Sequence, residues 1–154
     1  MIRKLVLVLS LVALVGVVAG CGSSPKVVTK AQYQKELQRI GSELTALGSE
    51  LGRSIDIATF NGNVDKFKDG LEKAAKELKQ LKPPANVETT NKRLADSFKE
   101  LADQLDAVKE ARRKSIFKAR DALGVVGRSR AIRDGRAAVQ ELKKKGYEVG
   151  ELGL

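Results

Sequence analysis

Three glutamates near the start of the chain form its most regular set of side chains that could do chemistry. Glu36, Glu43 and Glu50 recur every seven residues, so a helix would place them along one face. Such a row can feed a di-metal site inside a helical bundle, but those sites also use histidine, and the chain has none. Glutamates beside a heptad pattern otherwise pair with Lys or Arg of a neighbouring helix. We therefore expect ion pairs here and no metal site.

Catalytic arrangements are scarce in this composition. The absence of histidine excludes Ser-His-Asp and Cys-His catalysis, and the sequence contains neither a G-x-G-x-x-G motif nor a P-loop. Ser97 and Ser115 leave a Ser–Lys pair open, because lysines are abundant, but no lysine is singled out as a partner. We expect a protein that is not an enzyme and that has no cofactor.

The single cysteine follows an N-terminal targeting signal. Arg3 and Lys4 precede an apolar run of about 14 residues, which is shorter than the roughly 20 needed to span a bilayer. The sequence Val18-Ala19-Gly20-Cys21 then resembles the lipobox of bacterial lipoproteins. The resemblance implies removal of residues 1–20, attachment of diacylglycerol and further acyl lipid such as palmitate at Cys21, and an extracytoplasmic location on the cell membrane. The alternative is an uncleaved signal anchor with an ordinary thiol.

The rest of the chain predicts one helical domain. Residues 21–28 predict a flexible tether, residues 29–146 a bundle and residues 147–154 a frayed tail. Aromatic residues make up 4% of the chain and the charged residues 31%, which disfavours a β-sandwich and fits an all-α, antiparallel bundle of three to four helices. The heptads also leave open a coiled coil with a partner. Short turns between the segments favour a single bundle, whose oligomeric state the sequence leaves undetermined.

The first two helices are predicted from capping residues and heptads. Thr29 and Gln32 form a capping box, Gly41 and Gly48 predict close approach of a neighbouring helix, and Asn61-Gly62-Asn63 predicts the turn that ends the first helix. Pro83-Pro84 ends the second. The predicted core positions are Tyr33, Leu37, Ile40, Leu44, Leu47 and Leu51 in the first helix and Val64, Phe67, Leu71, Ala74, Leu78 and Leu81 in the second.

The third and fourth helices are predicted less sharply. Asn86 is the expected N-cap of the third helix, which would reach about 57 Å if unbroken and overhang the first. Gly124-Val125-Val126-Gly127 predicts a loop, and a fourth helix runs from about Arg128 to Lys145 with Gly146 as its C-terminal cap. The predicted core positions are Val87, Leu94, Phe98, Leu101, Leu105 and Val108 in the third helix and Ile132, Val139 and Leu142 in the fourth.

Positive charge concentrates in the C-terminal half. Residues 109–145 contain 13 basic and four acidic side chains. The long third helix with its Arg-rich helical hairpin would point the Arg-rich turn region away from the membrane and residues 143–145 back toward it. Arginine binds carboxylates and phosphates in a bidentate manner, so an anionic envelope polymer or an acidic protein is the expected partner, and export argues against nucleic acid. The alternative is a solvated charged face. The expected contacts are Arg112, Arg113, Arg120, Arg128, Arg130, Arg133 and Arg136.

A wider resemblance covers about residues 18–108. The lipobox, the segment Ala31-Gln32-Tyr33 and the junction Leu78-Lys79-Gln80-Leu81-Lys82-Pro83-Pro84-Ala85 are together similar to small uncharacterised helical lipoproteins of Gram-positive bacteria, actinobacteria especially. Members often carry a cysteine in the first helix, which this chain lacks. The resemblance implies an envelope location and an all-α fold, and no activity.

Two functions follow as expectations. The first is a membrane-anchored, extracytoplasmic lipoprotein that acts as a structural or interaction module of the envelope. The alternative is a solute- or lipid-binding helical carrier, which a large apolar cavity lined by Leu44, Leu47, Phe67 and Phe98 would favour.

Overall fold

Five α-helices and no β-strand make up the described part of the chain. A computed structural model describes residues 27–150 and Leu152, and the predicted signal peptide, Val18, Ala19, Gly20 and Cys21 lie outside this part. The all-α prediction is confirmed, and the predicted count of three to four helices was too low. The helices are α1 (Lys30–Gly52), α2 (Ile57–Gln80), α3 (Glu88–Arg112), α4 (Ile116–Val126) and α5 (Arg130–Lys144), with a 3-10 turn at Ala85–Val87.

The start of α1 has the predicted capping box. The Thr29 hydroxyl accepts from the Gln32 backbone N–H at 3.2 Å, and the Gln32 side chain accepts from the Thr29 N–H at 2.9 Å. Just before it, the Val28 N–H donates to the Lys82 carbonyl at 2.9 Å. The last residue of the predicted tether is therefore bonded to the residue beyond the end of α2.

The connection between α1 and α2 lies earlier than predicted. Asn61-Gly62-Asn63 lies inside α2, and the chain turns at residues 53–56 instead. Asp56 starts α2 as its N-cap, accepting from the Thr59 N–H at 2.9 Å. The Asn63 side chain donates to the Glu50 carbonyl at 3.1 Å, so an expected turn residue holds the end of α1 from within the next helix.

The entry into α3 also differs from the prediction. α2 ends just before Pro83-Pro84 as expected, but Asn86 belongs to the 3-10 turn, and Val87 takes the N-cap position without a side-chain cap. The Asn86 side chain instead accepts from the Tyr147 hydroxyl at 2.9 Å. Its hydrogen-bonding capacity is thus used to hold the end of the chain.

The predicted long third helix is wrong. α3 ends at Arg112, and Ser115 begins a separate helix by accepting from the Lys118 N–H at 3.2 Å. The apolar stripe weakens after Val108, which leaves this local N-cap free to break the helix. The expected overhang therefore does not form. The predicted loop at residues 124–127 is also wrong, because it forms the last turn of α4 and its cap.

The end of the chain packs against the bundle. Gly146 has a φ of +75°, the left-handed conformation of the predicted C-terminal cap. Tyr147, Val149 and Leu152 are buried beyond it, with exposed fractions of 6% or less. The prediction of a frayed tail is therefore wrong for these residues, because their side chains complete the core.

The core follows the predicted heptads closely. α3 packs against α2, α4 and α5, and α1 packs against α2. Every predicted core position of α3 is buried, while Leu47, Phe67, Leu81, Ile132 and Val139 are half-buried. The Leu47 side chain of α1 packs directly onto Gly70 of α2, where an added Cβ would lie 2.5 Å from Leu47 Cδ1. Gly48, predicted for that role, would make an ordinary 3.8 Å contact with Phe67.

Ion pairs connect neighbouring helices in an ordered series. In the ion pairs between α1 and α2, the residue number of the α1 partner increases as that of the α2 partner decreases, and the pairs between α2 and α3 follow the same order. The first series is Arg39–Glu77, Glu43–Lys73 and Glu50–Lys66, and the second is Lys79–Asp96, Lys68–Asp106 and Asp65–Lys109. None of the described helices is long and apolar enough to cross a membrane.

Candidate anion-binding surface

Two turns meet at one end of the bundle, which we call the tip. It consists of residues 53–57, which are the α1–α2 connection and the first residue of α2, and residues 110–121, which are the end of α3, the α3–α4 connection and the first half of α4. Arg120 Nη2 donates to the Ser54 carbonyl at 2.9 Å, and Arg112 Nη1 donates to the Asn61 carbonyl at 3.3 Å. The first bond holds α4 against the α1–α2 connection, and the second holds the end of α3 against the start of α2.

Large apolar side chains are exposed at the tip. Ile55 is 88% exposed, Phe117 73% and Ile57 42%. Single exposed apolar residues are ordinary on a protein surface, but these three all belong to the two segments of the tip. Phe117 is the residue that the sequence did not single out. The position of Phe117 between Ile116 and Ala119 could have indicated its exposure, because those two residues lie on the core-facing side of α4.

Basic side chains outnumber acidic ones at the tip. The tip contains six basic residues and three acidic ones. Arg113 pairs with Glu110 at 3.0 Å and Arg112 lies 3.7 Å from Asp65, whose carboxyl pKa is lowered mainly by a hydrogen bond from Lys109. Four further basic side chains have no acidic partner within 4.0 Å in the described part of the chain, namely Arg53, Lys114, Lys118 and Arg120.

The structure separates the seven predicted arginines into two groups. Arg112, Arg113 and Arg120 lie at the tip. The other four lie at or beyond the far end of α4, which is about 16 Å long by its residue count. There Arg130 pairs with Asp134 at 3.2 Å and Arg133 donates to the Arg128 carbonyl at 2.9 Å, while Arg136 is exposed. The seven arginines therefore do not form one continuous contact surface.

The glutamate row forms ion pairs. Glu43 and Glu50 pair with Lys73 and Lys66 of α2, at 3.0 Å and 3.7 Å. Glu36 pairs with Arg39 of its own helix, and Arg39 also reaches Glu43 and Glu77. A hydrogen bond from Lys73 is the main cause that lowers the pKa of Glu43. Among the described residues no group of three acidic or cysteine side chains is arranged to bind a metal.

The two serines of the open Ser–Lys pair bond to backbone groups. The Ser97 hydroxyl donates to the Arg93 carbonyl at 2.8 Å, and the Ser115 hydroxyl caps α4. Both bonds are local helix contacts. Neither hydroxyl is held by a lysine side chain in the described residues.

An apolar cavity lies in the middle of the bundle. Its volume is about 190 Å³, and every helix and the tail contribute to its wall. Leu44 and Phe67, two of the four residues expected around a ligand cavity, line it. Leu47 packs beside Gly70 and Phe98 is fully buried, and neither is part of the cavity wall.

A hydrogen-bonded cluster that the sequence did not reveal lies at the end of the bundle opposite the tip, which we call the base. The Tyr33 hydroxyl donates to Asn91 Oδ1 at 3.0 Å, and Tyr147 packs edge-on against Tyr33 with ring centroids 5.7 Å apart. Lys30 Nζ lies 5.1 Å from the Tyr147 ring centre. The cluster joins α1, α3 and the tail, and its partners are too far apart in the chain for a local pattern to indicate them.

Comparison with known proteins adds no family or fold relative. No protein-family model, curated protein or solved structure matches the chain.

Proposed function

We propose that the chain is a lipid-anchored lipoprotein of the bacterial cell envelope, related to the small helical lipoproteins that it resembles, which binds an anionic partner through its tip. The observation that carries this proposal is the exposed Phe117 beside Lys114 and Lys118, neither of which has an acidic partner in the described residues. Apolar and cationic side chains together suit a partner that presents carboxylates or phosphates on a less polar backbone. The protein acts by binding, without catalysis or a resident cofactor.

The anchor in this proposal rests on the sequence. Cys21 would carry the lipid after cleavage behind Gly20, and two or more acyl chains hold a protein stably at a membrane. The antiparallel order of the helices, which the two ion-pair series support, puts the start of α1 at the base. A 23-residue helix is about 34 Å long, so the tip would extend away from the anchoring membrane.

The anchor is tested by the intact mass of the protein from its native membrane. We expect the loss of residues 1–20 and the gain of at least a diacylglycerol, and we expect Cys21→Ala to abolish processing or membrane retention. An unmodified, full-length mass would contradict the anchor. It would also remove the argument from export against nucleic acid.

The tip is tested by titration with polyglutamate and with poly(glycerol phosphate), which present carboxylates and phosphates respectively. A triple variant, Arg113→Gln, Lys114→Gln and Lys118→Gln, should lose roughly tenfold in affinity, since each exposed charge contributes about 0.5 kcal/mol. The matched control changes three basic residues of α5, Arg136→Gln, Lys143→Gln and Lys144→Gln. An equal loss in both variants would show that binding depends on net charge and not on the tip.

A further inference from the structure

The central cavity has a surface groove as its neighbour, and Arg128 lines that groove. The groove lies between α3 and α4, has a volume of about 520 Å³ and shares the Val126 wall with the cavity. Gly127 lines the cavity, and the next two residues, Arg128 and Ser129, line the groove. The cavity and the groove are therefore neighbours on the two sides of Val126, with Arg128 in the groove wall.

The cavity wall restricts what can occupy it. The ten residues of the wall are apolar or glycine, so their side chains offer a polar group inside the cavity no hydrogen-bond partner. An apolar cavity of ~150 Å³ is large enough to bind benzene, so 190 Å³ suits a ring or a short aliphatic chain. The occupant must be apolar at this end.

The groove presents the opposite chemistry at its rim. The Arg128 guanidinium lies over Gly124, where an added Cβ would be 3.8 Å from Nη1, and it has no ion-pair partner in residues 27–150 or Leu152. Ser129 is the N-cap of α5, so the positive end of that helix dipole lies at the same rim. Both features favour an anionic group.

A second polar group in the groove supports a ligand with a polar head. Gln104 lines the groove, and its side-chain oxygen is buried without a hydrogen-bond partner in the described residues, while its amide nitrogen donates to Glu100 at 3.2 Å. Buried acceptors are nearly always satisfied in folded proteins. A hydroxyl or a protonated acid group of a ligand would satisfy this one.

We propose that the cavity and the groove together bind a single-chain amphiphile, with its aliphatic chain in the cavity beside Phe67 and its anionic head against Arg128. The site shares no residue with the tip and does not depend on it. The chemistry defines the class of ligand: one alkyl or acyl chain that ends in a carboxylate or a phosphate.

The first test is calorimetric titration of the full chain with decanoate below its micellar concentration, with decanol as the uncharged match. The chain carries Cys21→Ala, so that no covalent lipid competes for the site. Arg128→Gln should lower the affinity for decanoate roughly tenfold, because a charge-assisted hydrogen bond is lost, and should leave decanol within about twofold. Arg130→Gln, the matched control on the adjacent turn, should leave both affinities unchanged.

The second test locates the aliphatic chain. Ile132→Phe places a larger side chain at a half-buried position of the cavity wall. It should therefore narrow the cavity and lower the affinity for decanoate and for decanol alike. A complementary measurement uses the chain that carries no cavity or groove substitution. Nuclear Overhauser effects between the decanoate methylenes and the Phe67 ring would locate the aliphatic chain there, whether or not Ile132→Phe folds.

Three results would overturn this proposal. They are absence of decanoate binding, a decanoate affinity that Arg128→Gln leaves unchanged, and binding without contacts to Phe67. The triple variant of the tip should bind decanoate normally, so the two proposals fail independently.

Discussion

Tyr33 and Asn91 show how individual polar groups are satisfied inside the bundle. The Asn91 side chain accepts from Tyr33 at 3.0 Å and donates to the Leu78 carbonyl at 2.8 Å, one of the last carbonyls of α2. Helix ends leave such carbonyls without intrahelical partners, so a buried side chain that reaches one is stabilising. Burial is the main cause that raises the pKa of the Tyr33 phenol, which remains a hydrogen-bond donor throughout the working pH range.

Removing the Tyr33 hydroxyl tests this pair. Tyr33→Phe leaves Asn91 Oδ1 buried without its donor, and we expect a loss of about 1–2 kcal/mol in the free energy of unfolding, measured by urea denaturation. Tyr147→Phe is the matched control, because its hydroxyl bonds to Asn86 in a part-buried setting. A larger loss in Tyr147→Phe than in Tyr33→Phe would contradict the assignment.

Glu141 gives a pH dependence of stability. Hydrogen bonds from Lys145 and then Thr90 lower its carboxyl pKa from 4.5 to about 2, and Arg93 lies 3.0 Å away. A carboxyl group whose pKa is lower in the folded state than in the unfolded state stabilises the fold when the pH is above its ordinary pKa. This contribution is lost as the pH falls from 4.5 to about 2. Glu141→Gln should therefore lower the melting temperature by a few degrees at pH 7.

The difference between Glu141→Gln and the unmodified chain should disappear near the folded pKa of about 2. Thermal melts followed by circular dichroism between these pH values measure the change. Glu148→Gln, which alters an exposed carboxylate of the tail, is the control and should behave like the unmodified chain at each pH. A deficit for Glu141→Gln that stays constant across the pH range would contradict the linkage.

At the scale of helices, the faces were predictable and several ends were not. Heptads place Leu94, Phe98 and Leu105 in the core because the apolar period of a helix is a local property. A helix ends where a local cap competes with continued helix, and the free energies of the two are similar. Asp56 and Ser115 supply such caps, and the sequence interpretation used neither.

A substitution at Gly62 distinguishes the predicted turn from the observed helix. The glycine lies inside α2 with open space around it, since an added Cβ would meet no atom within 4 Å. Gly62→Ala should stabilise the protein by about 0.5–1 kcal/mol, the cost of glycine within a helix, as measured by urea denaturation. Gly146→Ala, at a φ of +75°, should instead destabilise it by about 1 kcal/mol. Loss of stability in Gly62→Ala would favour the turn.

At the scale of the whole molecule, the tail completes the hydrophobic core. Tyr147, Val149 and Leu152 are buried after the chain has left α5, and Gly150 lies against Gln38 of α1. The tail thereby contacts α1 as well as the base and reaches the wall of the central cavity through Leu152. A segment with one aromatic and a few aliphatic residues thus completes the core of a bundle with only modest aromatic content.

Deleting residues 147–154 tests this role. Each large side chain that is fully buried contributes about 1.5–3 kcal/mol, so the loss in unfolding free energy should be at least about 3 kcal/mol. Urea denaturation with a helicity readout measures it, and Glu148→Ala, in the same segment but exposed, is the control and should change little. A deletion that leaves stability unchanged would support the frayed tail that the sequence predicted.

The candidate sites were predictable only in part. The sequence identified Arg112, Arg113 and Arg120 as members of a basic region, but only the packing of the α1–α2 connection against α4 brings them beside Ile55 and Phe117. The cavity was conceivable from Leu44 and Phe67, but its wall includes residues from every helix and from the tail. Its position results from imperfect filling between elements, a long-range property.

By itself, the sequence determined the helical class, most of the buried positions of α1, α2 and α3, the capping box at Thr29 and the cap at Gly146, because these depend on residues a few positions apart. Tertiary structure decided where the middle helices end, where the tail lies and which charges share a surface. These outcomes depend on contacts such as Arg120 with Ser54 and Tyr33 with Tyr147, which lie far apart in the chain. Their free energies arise only once the bundle has assembled, so no local pattern encodes them.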